Sequence, residues 1–435
     1  MTSDLANERS RTRVATLRRL IRENPLARIG PGMITGVADD DPSGVVTYSQ
    51  AGAQFGLNML WTMPLAFPLM AAMQLICARI GRVTGKGLAA NIGTRFPPSV
   101  LRGTVALLLV ANTLNIAADL AAMGEVAELI VGVERHWMTV GFALGTLSLQ
   151  IFVPYHRYVV FLKWLTMSLL AYAAVLFTVH VPWHTVALRT FLPELKLDAS
   201  AAAVVVAVFG TTISPYLFFW QASEEVEDMA RNRAAQPLVD DATAAGPELR
   251  RIGWDTWSGM FYSDLTAYFV ILATALTLHA AGVTRIDTAA QAASALRPLA
   301  GDMAYVLFSI GIVSVGLIGV PVLAASGAYA LAESLHWEEG LERKLTGAKG
   351  FYGIIALSIL VATGMQFTTI SPMRALFWSA VINGVVAVPL MVIVLVLAAS
   401  RSVMGQFTAR WPILALGWIA TGVMGAAALV MLWPD

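Results

Sequence analysis

Eleven apolar tracts, each long enough to cross a hydrocarbon core of roughly 30 Å, take up most of the 435-residue chain. They lie near residues 29–54, 57–80, 103–131, 136–155, 158–181, 200–222, 257–282, 302–331, 350–368, 372–399 and 412–433. Lipid offers a backbone no hydrogen bonds, so such tracts fold as helices that satisfy their own N–H and C=O groups. Composition agrees: 57% of residues are hydrophobic and 13% charged, against about 25% charged in a soluble domain. An all-α membrane protein embedded in the lipid bilayer is expected. A net charge of +1 leaves no basic excess for nucleic acid. The single cysteine, Cys77, cannot form an internal disulfide and has no zinc-ligand spacing around it. No cofactor is indicated.

Lysine and arginine set the expected orientation, because cytoplasmic connections carry the excess. Residues 1–28 hold seven arginines and no apolar core, so they read as a cytoplasmic arm rather than a cleaved signal peptide. With this arm inside, 23 of the 29 Lys and Arg fall on the inner side and six on the outer side. This places the N-terminus in the cytoplasm and the C-terminus outside, and agrees with an odd number of spans. The expected location is the cell (inner) membrane. The long connection 223–256 shows no second folded domain.

Two of the tracts are interrupted. In the first, IGPGMITGVADDDPSGVVTYSQAGAQFG, Asp39, Asp40 and Asp41 run into Pro42, Ser43 and Gly44. Proline lacks the N–H a helix interior needs and disfavours helical geometry at the residue before it. The expectation is two half-helices joined by an unwound bridge. A carboxylate at mid-bilayer costs at least about 2.5–3.5 kcal/mol, so it marks a candidate functional site. In the sixth tract, Gly210, Thr211, Thr212, Ser214 and Pro215 interrupt the apolar run in the same way. Each break opens a block of five spans, and five is odd, so the second block inserts inverted. Interrupted spans at matching places in inverted repeats point to a secondary-transporter site at the midplane. Proline also kinks membrane helices without serving a function. The presence of two matched breaks, one carrying an aspartate triplet, favours a site. The expected organisation is repeat one at about 29–181, repeat two at about 200–399, and an extra helix at 412–433.

GPGMITGVADDDPSG resembles the first span of the Nramp divalent-metal transporters, whose break carries Asp-Pro-Gly-Asn. The second span, PLMAAMQLICARIGRVTGKGLA, is similar around residues 79–87. AADLAAMG at 117–124 is similar to the family's Thr-Asp-Leu-Ala-Glu, and TTISPY lies where the family has Ala-Thr-Val-Met-Pro-His. The resemblance runs over spans one to ten. It implies a LeuT-type fold, two inverted five-helix repeats with broken first and sixth helices plus an eleventh helix, and import of divalent transition metals, usually with protons.

The departures from that pattern bear on the substrate. Asp41 matches the family's metal-binding aspartate. The family's asparagine ligand becomes Gly44, its methionine ligand Ser214 and its histidine Tyr216; Thr211 matches the position that offers a backbone carbonyl. Losing a thioether removes a soft ligand that favours transition metals. The remaining oxygens suit Mg²⁺, which gives up its water reluctantly. This looks like the Nramp-related magnesium transporters. The expected substrate is partly hydrated Mg²⁺, with Mn²⁺ tolerated. Asp119 matches the third-span aspartate linked to proton passage, but the glutamate after it becomes Ala122, and 350–368 holds no arginine or lysine. Transport without obligatory proton coupling is therefore expected.

Asn112, Asn115 and Asp119 share one face of the third span, and Asp119 is the favoured lining of the ion path. Glu125 near the outer end and Asn383 in the tenth span are further pathway candidates. Of Asp39 and Asp40, one is expected on the aqueous path and the other bonded elsewhere. Glu224, Glu225, Glu227 and Asp228 read as a solvated helix end neutralised by Arg231 and Arg233. The rival substrates are Mn²⁺ carried with protons and, on a LeuT-type carrier, an organic solute such as an amino acid. Carboxylates at the first break disfavour the second. No H-E-x-x-H occurs, and an enzyme is not expected.

Overall fold

A computed structural model describes residues 30–153, 167–194, 198–231, 235–367 and 371–432. The arm at 1–28 and the parts of the expected tracts at 29, 154–155, 158–166, 368 and 433 lie outside the described residues.

Helix occupies each of the eleven tracts. The first is α1 (Pro31–Asp39) and α2 (Pro42–Phe55). Next come α3 (Thr62–Thr84), a short α4 (Leu88–Arg95), α5 (Pro98–Val131) and α6 (Arg135–Phe152). The described part of the fifth tract holds α7 (Ala171–Val175), and α8 (Trp183–Phe191) lies in the connection after it. The sixth tract is α9 (Ala199–Thr212) and α10 (Pro215–Arg231). The chain continues through α11 (Ala245–Thr274), a short α12 (Ala289–Ala293), α13 (Ala304–Leu335), α14 (Lys349–Gly364), α15 (Pro372–Ala399) and α16 (Trp411–Leu432). Among the described residues, seven helical stretches are long and apolar enough to cross a membrane, by length and composition.

Both interruptions are real breaks with local causes. At the first, Asp40 leaves the helical region at φ −82°, ψ 52°, and Asp41 is extended at φ −68°, ψ 172°. Pro42 then starts α2 at the position where a missing N–H costs nothing. At the second, Ile213 sits at φ −112°, ψ 54°, and Pro215 starts α10.

Small residues set the helix spacing around these breaks. Gly32 and Gly36, one turn apart on α1, lie against Gly259 of α11; a Cβ on Gly36 would fall 2.8 Å from Gly259 Cα. Gly210 of α9 meets Gly384 of α15 in the same way, 2.7 Å from its Cα. Close backbone approach of this kind is how membrane helices pack where lipid supplies no hydrophobic drive. The sixth tract is the enclosed centre, with 94% of its most apolar stretch buried against 28% for α16, which lies at the periphery.

Candidate functional site

The two breaks meet. Asp41 caps α2, its Oδ1 accepting from the Gly44 N–H at 2.8 Å. An acceptor here satisfies an otherwise orphaned helix-start donor. Oδ2 accepts from Asn115 Nδ2 of α5 at 3.1 Å and from Tyr216 Oη of α10 at 3.2 Å. The Tyr216 hydroxyl also lies 3.3 Å from the Ala38 carbonyl. The first residues of both second half-helices therefore join at one carboxylate.

Gly44 lets the two breaks approach closely. A Cβ there would lie 3.2 Å from Thr211 Oγ1 and 3.4 Å from the Asp39 carbonyl oxygen. The C-terminal ends of α1 and α9 carry the partial negative charge of the helix dipole, and both end here. Ser214, expected as a free hydroxyl ligand, turns back on its own helix end: its Oγ donates to the Thr211 carbonyl (2.6 Å) or the Gly210 carbonyl (3.0 Å). It therefore reaches the site through Thr211.

Asp119 is fully buried on α5, with neither carboxylate oxygen in a hydrogen bond. Gly319 of α13 separates it from Asp41. A Cβ on Gly319 would fall 3.0 Å from Asp41 Cβ and 3.8 Å from Asp119 Oδ2. Asp41, Thr211, Ser214, Tyr216, Asn115 and Asp119 are each at most 2% exposed, so the site is occluded on both sides.

The other candidates lie elsewhere. Glu125 accepts from the Ala289 N–H at 2.8 Å at the start of α12, whose own cap is Thr288. Asn383 is buried with its Oδ1 unpaired, one turn along α15 from Ser379. Asp39 and Asp40 are both buried beside one hydroxyl: Ser263 Oγ of α11 lies 2.7 Å from Asp39 Oδ2 and 3.0 Å from Asp40 Oδ1. Asn112 bonds to the Leu323 carbonyl (2.8 Å) and Ser326 Oγ (2.9 Å) of α13, a helix-to-helix role. The acidic end of α10 is not a solvated surface. Glu224 and Glu225 are buried, and Glu225 pairs with Arg251 of α11 at 2.7 Å; Arg231 pairs instead with Glu342 at 2.9 Å. Arg233 lies outside the described residues.

Sequence reading missed Ser379. It donates to Asn115 Oδ1 at 2.8 Å, with the Leu376 carbonyl as alternative acceptor, and lies 3.4 Å from Ser43 Oγ. It fixes the amide that orients Asp41, yet a lone serine in an apolar tract carries no signal. Gly319 was missed for the same reason. Asn115 was visible only as a face shared with Asp119.

Among the described residues, no three His, Cys, Asp or Glu side chains converge as a ready-made metal cage. The arrangement offers an ion two carboxylates, a threonine hydroxyl and helix-end carbonyls. Met123 Sδ packs one turn away, against Gly316.

Known proteins resemble this chain over nearly its whole length. The chain is 26% identical over 418 residues to the divalent metal cation transporter MntH of Acidiphilium cryptum, covering 94% of this chain and 89% of that one. It is 27% identical over 419 residues to the MntH protein of Mycobacterium tuberculosis, covering 93% and 90%. Among solved structures, the manganese transporter of Eremococcus coleocola superposes with a TM-score of 0.74 at 16% identity, covering 93% of this chain and 86% of that one. Mhp1, a nucleobase-cation-symport-1 family transporter, reaches 0.54 at 12% identity, covering 93% and 92%. These neighbours establish the LeuT-type fold. The family model described as natural resistance-associated macrophage protein-like matches residues 32–434, and with nearly the whole chain covered, the protein belongs to the Nramp family.

Proposed function

We propose that this protein is a carrier of divalent metal ions, that it takes up Mg²⁺ in partly hydrated form with Mn²⁺ tolerated, and that transport has no obligatory proton coupling. The observation that carries the reading is the state of Asp41. A carboxylate has about four lone-pair sites, and three already accept from Gly44, Asn115 and Tyr216. An ion arriving there meets at most one free Asp41 site without displacing a donor. The rest of its shell comes from Thr211, carbonyls, Asp119 and retained water. Mg²⁺ is the ion that keeps its waters. Two buried carboxylates also match a charge of two.

The runner-up, proton-coupled Mn²⁺ import, is favoured by the relatives: those named are MntH divalent metal transporters and a manganese transporter. Mn²⁺ accepts oxygen ligands as well. In support of the uncoupled reading, Ala122 stands where the family has a glutamate, and α14 carries no arginine. Two repeats, at about 29–181 and 200–399, and insertion in the inner membrane with the N-terminus inside belong to the same proposal.

Uptake into proteoliposomes tests it. Mg²⁺ and Mn²⁺ are expected to enter, Asp41→Ala to abolish entry, and an interior pH dye to stay silent during Mg²⁺ uptake. Uptake of Cd²⁺ or Fe²⁺ without Mg²⁺ rejects the substrate. Metal-dependent acidification at a fixed ratio rejects the coupling.

A further inference from the structure

The first N–H groups of any helix lack partners within it. For α1 the residue before the helix, Gly30, supplies no side-chain cap. The cap comes from another helix. Asp255 of α11 accepts from the Gly32 N–H at 2.7 Å through Oδ2 and from the Met33 N–H at 3.3 Å through Oδ1. An anion at this end also meets the positive pole of the α1 dipole. Two further contacts hold the same half-helix. Gly32 and Gly36 lie on the Gly259 backbone, and Thr35 Oγ1 donates to Gln221 Oε1 of α10 at 2.5 Å, with the Pro31 carbonyl as its other acceptor. One turn before Asp255, Arg251 ties α11 to Glu225 of α10.

The half-helix held this way ends in the Asp39–Asp41 bridge. An α1 that moves away from α11 loses its cap at once, because the cap does not travel with it. We propose that Asp255 is a positioning residue of the transport cycle: a cap supplied in trans that holds α1 closed over the inner side of the ion site, and that must break for the site to open inward. This rests on the carrier reading, but its test reads helix position rather than ion flux.

The test uses full-length protein in liposomes, with Cys77→Ala to remove the native thiol and Ala38→Cys as reporter. Ala38 is 1% exposed and its carbonyl meets Tyr216, so a thiol there reacts with a maleimide only when α1 has opened. Loss of a cap is worth about 1 kcal/mol, or roughly a fivefold change in population. Asp255→Ala is therefore expected to raise the labelling rate about fivefold. Asp255→Asn keeps a carbonyl acceptor and caps nearly as well, so it is expected to stay within about twofold of the parent. Unchanged labelling in D255A overturns the proposal. So does a D255N rate equal to that of D255A, which would assign the effect to the charge of Asp255 rather than to its capping oxygens. If D255A does not fold, Gly36→Ala carries the test. Its methyl meets the Gly259 backbone and lifts α1 away, so labelling is expected to rise, and an unchanged rate overturns the proposal. A protein that shows this pattern yet moves no ion keeps the cap and loses the carrier reading.

Discussion

Asp41 is the residue on which the site turns, and its chemistry was partly legible. An aspartate just before a proline, in an apolar tract, is both a helix cap and a costly charge. The sequence also shows that Gly44 brings no side chain to the break. It does not show that Ser214 spends its hydroxyl on the Thr211 carbonyl, because that depends on the turn closing 9→10 rather than on residue type. Nor does it show Gly319, a glycine like many others until α13 is laid between Asp41 and Asp119. Its bare Cα is what lets the two carboxylates approach one space. Gly319→Ala puts a methyl 3.0 Å from Asp41 Cβ, closer than ordinary van der Waals contact. The helix can accept alanine, which has the higher helix propensity, so the expected damage is local. Mg²⁺ uptake should fall roughly tenfold, as misplacement of a positioned group does. The thermal unfolding midpoint should stay within a few degrees. A variant that transports normally shows that the ion does not pass between these carboxylates.

At the scale of elements, breaks were easier to read than partners. Pro42 and Pro215 mark where α2 and α10 begin, since proline fits the first helical turn and little else. The short helices α4, α8 and α12 escaped because they lie in connections, where hydropathy is silent. The trans cap of α1 escaped because its donor and acceptor stand 223 residues apart. The inner ends of α10 and α13 show the same limit: an acidic run that reads as solvent-facing is covered by the 336–348 connection. There the Tyr329 hydroxyl donates to Glu227, which also accepts from the Leu341 N–H at 2.6 Å. Glu339 in this connection is pushed from 4.5 to about 9, first by burial and then by Glu333 and Glu227, with Arg343 opposing. An acid whose folded pKa is raised binds its proton more tightly in the folded state. Its contribution is full below about pH 4.5 and is lost as pH rises through 9. Thermal stability in detergent is therefore expected to decline between these limits. Glu339→Gln, neutral throughout, is expected to remove that part of the decline and to be the more stable protein at pH 9. Equal slopes in both proteins would mean that Glu339 is ionised at neutral pH.

Across the whole molecule, the architecture follows from a few coarse quantities: the number of apolar tracts, the matched breaks 173 residues apart at Pro42 and Pro215, and the rule that lipid admits only self-satisfied helices. Which way this assembly faces depends on quantities the helix packing does not contain. Charge bias decides it, and the bias is spread along the chain. With the N-terminus placed inside, as proposed, inner connections hold 23 Lys and Arg against six outside, and removing the seven arginines of residues 1–28 still leaves 16 against six. On the proposed orientation the arm adds to a bias that the later connections also carry. Alkaline phosphatase fused after Asp435 is expected to be active, because it folds only outside the cytoplasm, whereas a green fluorescent protein exported unfolded at the same point stays dark. Deleting residues 1–28 should leave both readouts unchanged. Phosphatase activity lost in the full chain would place the C-terminus inside and require an even number of crossings. Activity lost only in the truncated chain would assign orientation to the arm, and with it the task of presenting the start of α1 to the cytoplasm.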